Sequence, residues 1–289
     1  MDIHSFSGAA TVALGSTAIF LVISKSWQAL TRVFSLEPNF ADSIMTESAQ
    51  RFREEFDRLT AAQTTYLAAG LVFTVLFVAA HVLDAKRLFD GYPVWQLNLF
   101  ITALVGAGVL TCRAFGKTML ARQRVRLLRD ANIAIGHQLQ QISTGFGRVY
   151  HDIQTATGMI DHLIVGQFGA YAVNVFTRRS RDAGNVEVDG SQLVFNPDGY
   201  RLPVADTTAK ISAIEQEFEH LLGHPIRVRS VLAVPGWDVT SQLSDEHLVV
   251  NDQRLPMLRG WKDRADYLMH EEVDALCGLL NERCGITNR

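Results

Sequence analysis

Charge is absent from three long stretches of this 289-residue chain: no Asp, Glu, Lys or Arg occurs in 6–24, 59–83 or 91–112. Cysteine is scarce as well. Cys112, Cys277 and Cys284 form an odd set without paired metal-ligand spacing, which excludes a disulfide framework and a zinc module. They read as reduced thiols. No excess of either charge sign is present: the net charge is −3 and the sequence pI about 6.3, so overall charge gives no argument for nucleic acid. Internal repeats and low-complexity tracts are also lacking, which excludes solenoids and disordered tails.

What is present is a division. The first part of the chain is apolar and the remainder has ordinary globular composition, which predicts a membrane region over 1–113 and a soluble domain over 114–289. About 20 apolar residues cover the ~30 Å hydrocarbon core of a bilayer. The uncharged stretches therefore predict three transmembrane helices, about 6–24, 64–83 and 95–112. The four residues before the first apolar run contain no Lys or Arg, so that run reads as a retained helix rather than a cleaved signal. Lys25, Arg32, Arg51, Arg53 and Arg58 follow the first run, and Arg113, Lys117, Arg122, Arg124, Arg126 and Arg129 follow the third. The link between the second and third has only Lys86 and Arg87. By the positive-inside rule the N-terminus lies outside and the C-terminal domain in the cytoplasm, as for a multi-pass protein of a bacterial inner membrane.

Inside the runs, His81 is the one titratable side chain that could sit at membrane depth. Conduits carry ionisable groups there, so the pattern favours an anchor over a transporter. Gly8, Gly15, Gly70, Gly106 and Gly108 permit close helix approach, within the chain or between copies in a homo-oligomer. Between the first two runs, Phe52, Phe56 and Leu59 share one face of an amphipathic helix, about 46–60, that continues into the second run. The basic stretch after Cys112 reads as the positive-inside signal carried along a helix, with anionic lipid and, behind it, nucleic acid as alternative readings.

The soluble part alternates between helical and strand patterns. A helix over about 121–146 has Val125, Leu128, Ile133, Ile135 and Leu139 as core candidates. "GRVYHDI", "MIDHLIVG" and "GAYAVNVFT" read as strands, the last two joined through Gly166-Gln167-Phe168-Gly169. Asp189-Gly190 is a turn between two alternating runs. A helix capped by Asp206 or Thr207 carries Ile211, Ile214, Phe218, Leu221 and Leu222 on one stripe and stops at Gly223. "IRVRSVLAVPG" is a buried strand, 247–250 a short one, and "HEEVDALCGLLNERCG" a terminal helix. The fold class is α/β (α+β), with mostly antiparallel strands first.

That order, with "IDHLIVGQFGAYAVNV" at its centre, resembles the NERD (nuclease-related) domain family, part of the restriction-endonuclease-like PD-(D/E)XK superfamily. The resemblance covers roughly 133–284. It implies a mixed sheet flanked by helices, and a hairpin that carries an Asp followed by a Glu-x-Lys. The carboxylates hold a divalent metal, Mg²⁺, that polarises a phosphate, and the lysine helps activate water. Asp161 matches the Asp. Asn174 stands where the Glu belongs and Phe176 where the Lys belongs. A helix glutamate expected just after Gly136 is replaced by His137-Gln138, and Ala209-Lys210 stands around the family's later glutamine.

The resemblance thus implies a degenerate site and a non-catalytic, membrane-anchored binding or scaffold module at the cytoplasmic face. It needs no cofactor. Its partners would be membrane lipid through the three helices and a further protein, with nucleic acid as another candidate. The alternative is a membrane-tethered, metal-dependent nuclease with a relocated site: Asp161 with Glu187, Asp152 or His151 approaching the metal, and Lys210 replacing the lost lysine. A transport component is a third reading, and the spans lack the polar path it needs.

Overall fold

A computed structural model describes residues 13–26, 47–82, 93–145, 147–178, 184–189, 191–240, 247–261 and 263–284. The chain divides into two compact units, Met1–Glu37 with Glu55–Arg124, and Pro38–Glu54 with Val125–Arg289. Helices α2 (Gln50–Val82) and α3 (Val94–Ser143) each have residues in both units.

The first unit is helical: α1 (Ala13–Ser26), most of α2 and the first part of α3. Among the described residues one helix, Gln50–Ala79, is long and apolar enough to cross a membrane. Leu67, Leu71, Val75 and Val78 are exposed along it at helical spacing. The amphipathic stretch around Phe52 and Phe56 is continuous with this helix, as its pattern predicts. Of the three expected spans, the structure supports this one. The first appears as the shorter apolar helix α1, and the rest of its stretch lies outside the described residues. The third falls in α3, where several side chains between 94 and 104 also lie outside them. Within the unit, Arg122 donates to Gln63 Oε1 at 2.8 Å and lies over the Phe56 ring.

The second unit is a mixed α/β fold with helices on both faces of its larger sheet. That sheet has the order β1-β2-β3-β7-β9: β1 (Arg148–Thr155), β2 (Gly158–Gly166) and β3 (Gly169–Val175) are antiparallel, and β7 (Val228–Ala233) and β9 (His247–Val250) continue in parallel. A smaller sheet has the order β6-β5-β4-β8, from β4 (Asn185–Asp189), β5 (Gln192–Asn196), β6 (Tyr200–Pro203) and β8 (Asp238–Val239).

Alternation along the strands sorts the core. Leu163, Val165, Ala170 and Ala172 face α4 (Ala205–Leu222) and α5 (His270–Cys284), which supply Ile211, Ile214, Phe218, Leu276 and Leu280. Ile164, Tyr171 and Val173 face Ala131, Ile135 and Leu139 of α3. Val125, Ile135 and Leu139 are buried as expected, whereas Leu128 and Ile133 are only half-buried and Ala131 enters the core. A third cluster joins the small sheet to the large one through Val186, Phe195, Leu232, Trp237 and Val249. Cys277 and Cys284 are buried and not joined by a disulfide, and Cys112 is exposed.

One local expectation is corrected. α4 is not capped by Asp206 or Thr207; its N-cap is Val204, with no side-chain cap. Val204 is held there because its N–H donates to Ser191 O and its side chain is buried, so tertiary contact overrides capping preference. Gly223 ends the helix at φ 79°, with its N–H on Glu219 O, as the sequence predicts.

Candidate functional site

The β2–β3 hairpin positions the first acid. His162 pairs with Val173, so one step further along places Asp161 on β2 across from Asn174 on β3. Asp161 is buried, and its Oδ2 accepts the Val175 N–H at 2.7 Å. Asn174 is buried too, and its Nδ2 has no hydrogen-bond partner among the described residues. Phe176 leaves the strand with its N–H on Ala233 O and packs against the core between the sheets.

β1 brings a second acid to the same place. His151 pairs with His162 and Ile153 with Ile160, so Asp152 lies opposite Asp161. The ladder is interrupted there because Asp152 has φ 53°, the left-handed region that L-residues rarely adopt. This turns its carboxylate, whose side chain is buried, toward the N-terminus of α2. Asp152 Oδ2 accepts the Arg51 backbone N–H at 3.3 Å, one of the first-turn amides that an α-helix leaves without an internal partner.

Arg51 then joins the two acids. Its Nη2 donates to Asp161 Oδ1 and its Nε lies 3.4 Å from Asp152 Oδ1. The guanidinium also lies 4.3 Å from the centre of the Phe52 ring. The segment that carries it is tied down beside α3: Ser48 donates to Asn132 O at 2.8 Å and sits so close to Gly136 that a Cβ there would lie 2.2 Å from Ser48 Oγ.

Burial dominates the electrostatics of Asp161 and pushes its carboxyl above the ordinary range. Arg51, the Val175 N–H and Lys210 pull it down, and the negative charge of Asp152 pushes it up. Lys210 approaches from α4, its stem packed against Gly158 of the β1–β2 turn. On the α3 side, His151 and His162 share a proton between their Nδ1 atoms at 2.8 Å, and Gln140 lies 3.2 Å from His151 Nε2. Burial lowers His151 to about 4 and His162 well below the usual histidine value, so both rings are neutral at physiological pH.

Of the sequence-selected residues, Asp152, Asp161 and Asn174 converge, with Lys210 close enough to bias Asp161. His151 touches His162. Glu187 lies on β4 of the smaller sheet, where Asn185 Nδ2 reaches it at 3.4 Å. His137 is exposed and bonded to Gln141. Among the described residues no group of three or more His, Cys, Asp and Glu side chains is placed to hold a metal. As they stand, with both carboxylates engaged by the Arg51 guanidinium, the residues present do not fit the divalent ion that the hairpin's pattern implies. Sequence reasoning missed Arg51, which reads there only as one of several basic residues flanking an apolar run.

No curated protein and no solved structure matches the chain. Residues 129–235, from late α3 to just past β7, match the family model described as the nuclease-related domain, NERD; the stretch includes Asp152, Asp161, Asn174 and Lys210 and leaves Arg51 outside.

Proposed function

We propose that this chain is a membrane-anchored, nuclease-related module that binds a partner at the cytoplasmic face and does not itself cleave nucleic acid. The observation that carries the reading is the guanidinium of Arg51 on both Asp152 and Asp161. A metal-dependent phosphodiesterase needs those oxygens for its ion. Asn174 and Phe176, in place of an acid and a lysine, remove a further ligand charge and the water-activating group. The mixed sheet flanked by helices is the arrangement expected of a restriction-endonuclease-like fold. The membrane part of the reading rests on the length and apolarity of Gln50–Ala79 and its exposed Leu67–Val78 stripe, together with the other two uncharged stretches. The Lys and Arg distribution argues for an outside N-terminus.

The test is a cleavage assay with the purified full chain on DNA and RNA in Mg²⁺ and in Mn²⁺. No cleavage above buffer is expected. Cleavage that disappears in Asp161→Ala would overturn the reading and favour the second one, a nuclease with a relocated site. One observation supports that alternative: Asp152, Asp161 and Lys210 approach one hairpin, so two acids and a lysine stand close together without the family's usual spacing.

A further inference from the structure

Two aspartates face each other across β1 and β2, both with nearly inaccessible side chains. Buried carboxylates persist only with a cation or full hydrogen bonding. The cation here comes from outside the matched domain. Arg51 approaches through the first turn of α2, meets Asp161 Oδ1 with Nη2, and brings Nε to Asp152 Oδ1.

One guanidinium bridges the two carboxylates, and the Arg51 side chain is 29% exposed, so solvent reaches it without opening the core. Across from Asp161, the Asn174 amide is buried, with Nδ2 lacking a partner among the described residues. Asp152 is held at φ 53°, a conformation that the Arg51 contacts help to maintain.

We infer that Arg51 is a built-in plug: its guanidinium occupies the cation position between Asp152 and Asp161 and excludes a divalent metal, which enters only when the segment carrying Arg51 is withdrawn. This rests on the reading above, that the site is shut as it stands. The plug lies at the start of the same helix that holds the candidate span.

The experiment measures Mn²⁺ binding to the full chain, from the loss of the free-ion paramagnetic resonance signal. The samples are wild type, Arg51→Gln, Arg51→Lys and Arg51→Gln with Asp161→Asn. Arg51→Gln is expected to bind Mn²⁺ at least tenfold more tightly than wild type, and the added Asp161→Asn to abolish the gain. Arg51→Lys keeps a positive charge that cannot bridge both acids in fork geometry, and is expected to fall between. It also serves if Arg51→Gln does not fold. Equal binding by wild type and the folded Arg51 variant, no binding by either, or a gain that survives Asp161→Asn overturns the plug. Cleavage by wild type overturns the non-cleaving reading instead, whatever the Mn²⁺ affinities, so the two failures are distinguishable.

Discussion

Arg229 and Arg51 each contact two aspartates within the same compact unit, yet only one of the two arginines is itself buried. The Arg229 side chain is 6% exposed. Its Nε donates to the buried Asp266, its Nη1 reaches Trp261 O at 3.3 Å, and its guanidinium lies 4.7 Å from the centre of the Trp261 ring. The second acid, Asp263, is largely in solvent. Buried charge there is balanced one to one, and the arginine pegs the 261–266 segment to β7. At Arg51 the acids are buried and the arginine that bridges them is partly open. The first arrangement suits permanent structure. The second places the bridging cation where solvent can reach it.

The largest effect expected from this contrast is at the peg. Arg229→Ala leaves Asp266 buried without its partner, which costs about 3–5 kcal/mol. Unfolding of the full chain in denaturant, followed by tryptophan fluorescence, reads it. Replacing both members, Arg229→Met with Asp266→Leu, is expected to return most of that loss. A cost under about 1 kcal/mol for Arg229→Ala would mean that the two arginines do not differ as described.

Arg51→Gln comes next, at about 1–3 kcal/mol, since water and protonation can both relieve the acids left behind. Its signature is pH dependence. Burial holds the folded carboxyl of Asp161 above the ordinary 3.8, and Arg51 is the strongest influence pulling it down. A raised folded value contributes stability below the unfolded value, and that contribution is lost as pH rises through the folded value. Removing Arg51 raises the folded value further and extends the loss upward. The deficit of the variant against wild type should therefore be largest at neutral pH and shrink on acidification toward 3.8. Denaturant midpoints at stepped pH check it, and a deficit independent of pH would remove Asp161 from the account.

Gly136→Ala acts on the plug without touching it. The added methyl would meet Ser48 Oγ at 2.2 Å and His162 Cε1 at 3.3 Å, so the 47–49 segment must move and its bond to Asn132 O is strained. Overpacking of this kind costs about 1–3 kcal/mol. If Ser48 holds Arg51 in place, the variant also gains Mn²⁺ binding in part. Destabilisation with no gain would separate the Ser48 contact from the plug.

The parts of this molecule that were legible from sequence are those written in neighbouring residues. The strand 160–165 with apolar Ile160 and Leu163–Val165, the glycines at 166 and 169, the stripe Ile211–Ile214–Phe218 and the stop at Gly223 each report a local geometry, and the structure follows them. The opposition of Asp161 and Asn174 follows from the hairpin register alone. Arg51 and Asp161 are 110 residues apart, and nothing near Arg51 distinguishes it from the basic residues expected beside a membrane. The positive φ of Asp152 was equally hidden, since β1's alternating pattern reads as ordinary extended strand there. Val204 displaced the expected cap of α4 through a backbone bond to Ser191. Long-range pairing decided the cases of Arg51 and Val204.

Lys210 is where the smallest effect is expected, and it bears on whether the site holds a second usable cation. The residue is half-buried, its stem lies on Gly158, and its charge helps keep Asp161 ionised. Lys210→Met preserves the stem and removes the charge. If Arg51 is the site's cation, stability changes by no more than about 0.5 kcal/mol, as for most half-exposed substitutions, and Mn²⁺ still does not bind. In the Arg51→Gln background the same change matters more, because Lys210 is then the nearest remaining positive charge: Mn²⁺ binding should tighten again once it is removed, since a cation that no longer competes cannot repel the metal. A loss of Mn²⁺ binding on that step would instead mean that Lys210 organises the metal site, as in a nuclease with a relocated lysine, and the two arginine sites would then differ by more than charge balance.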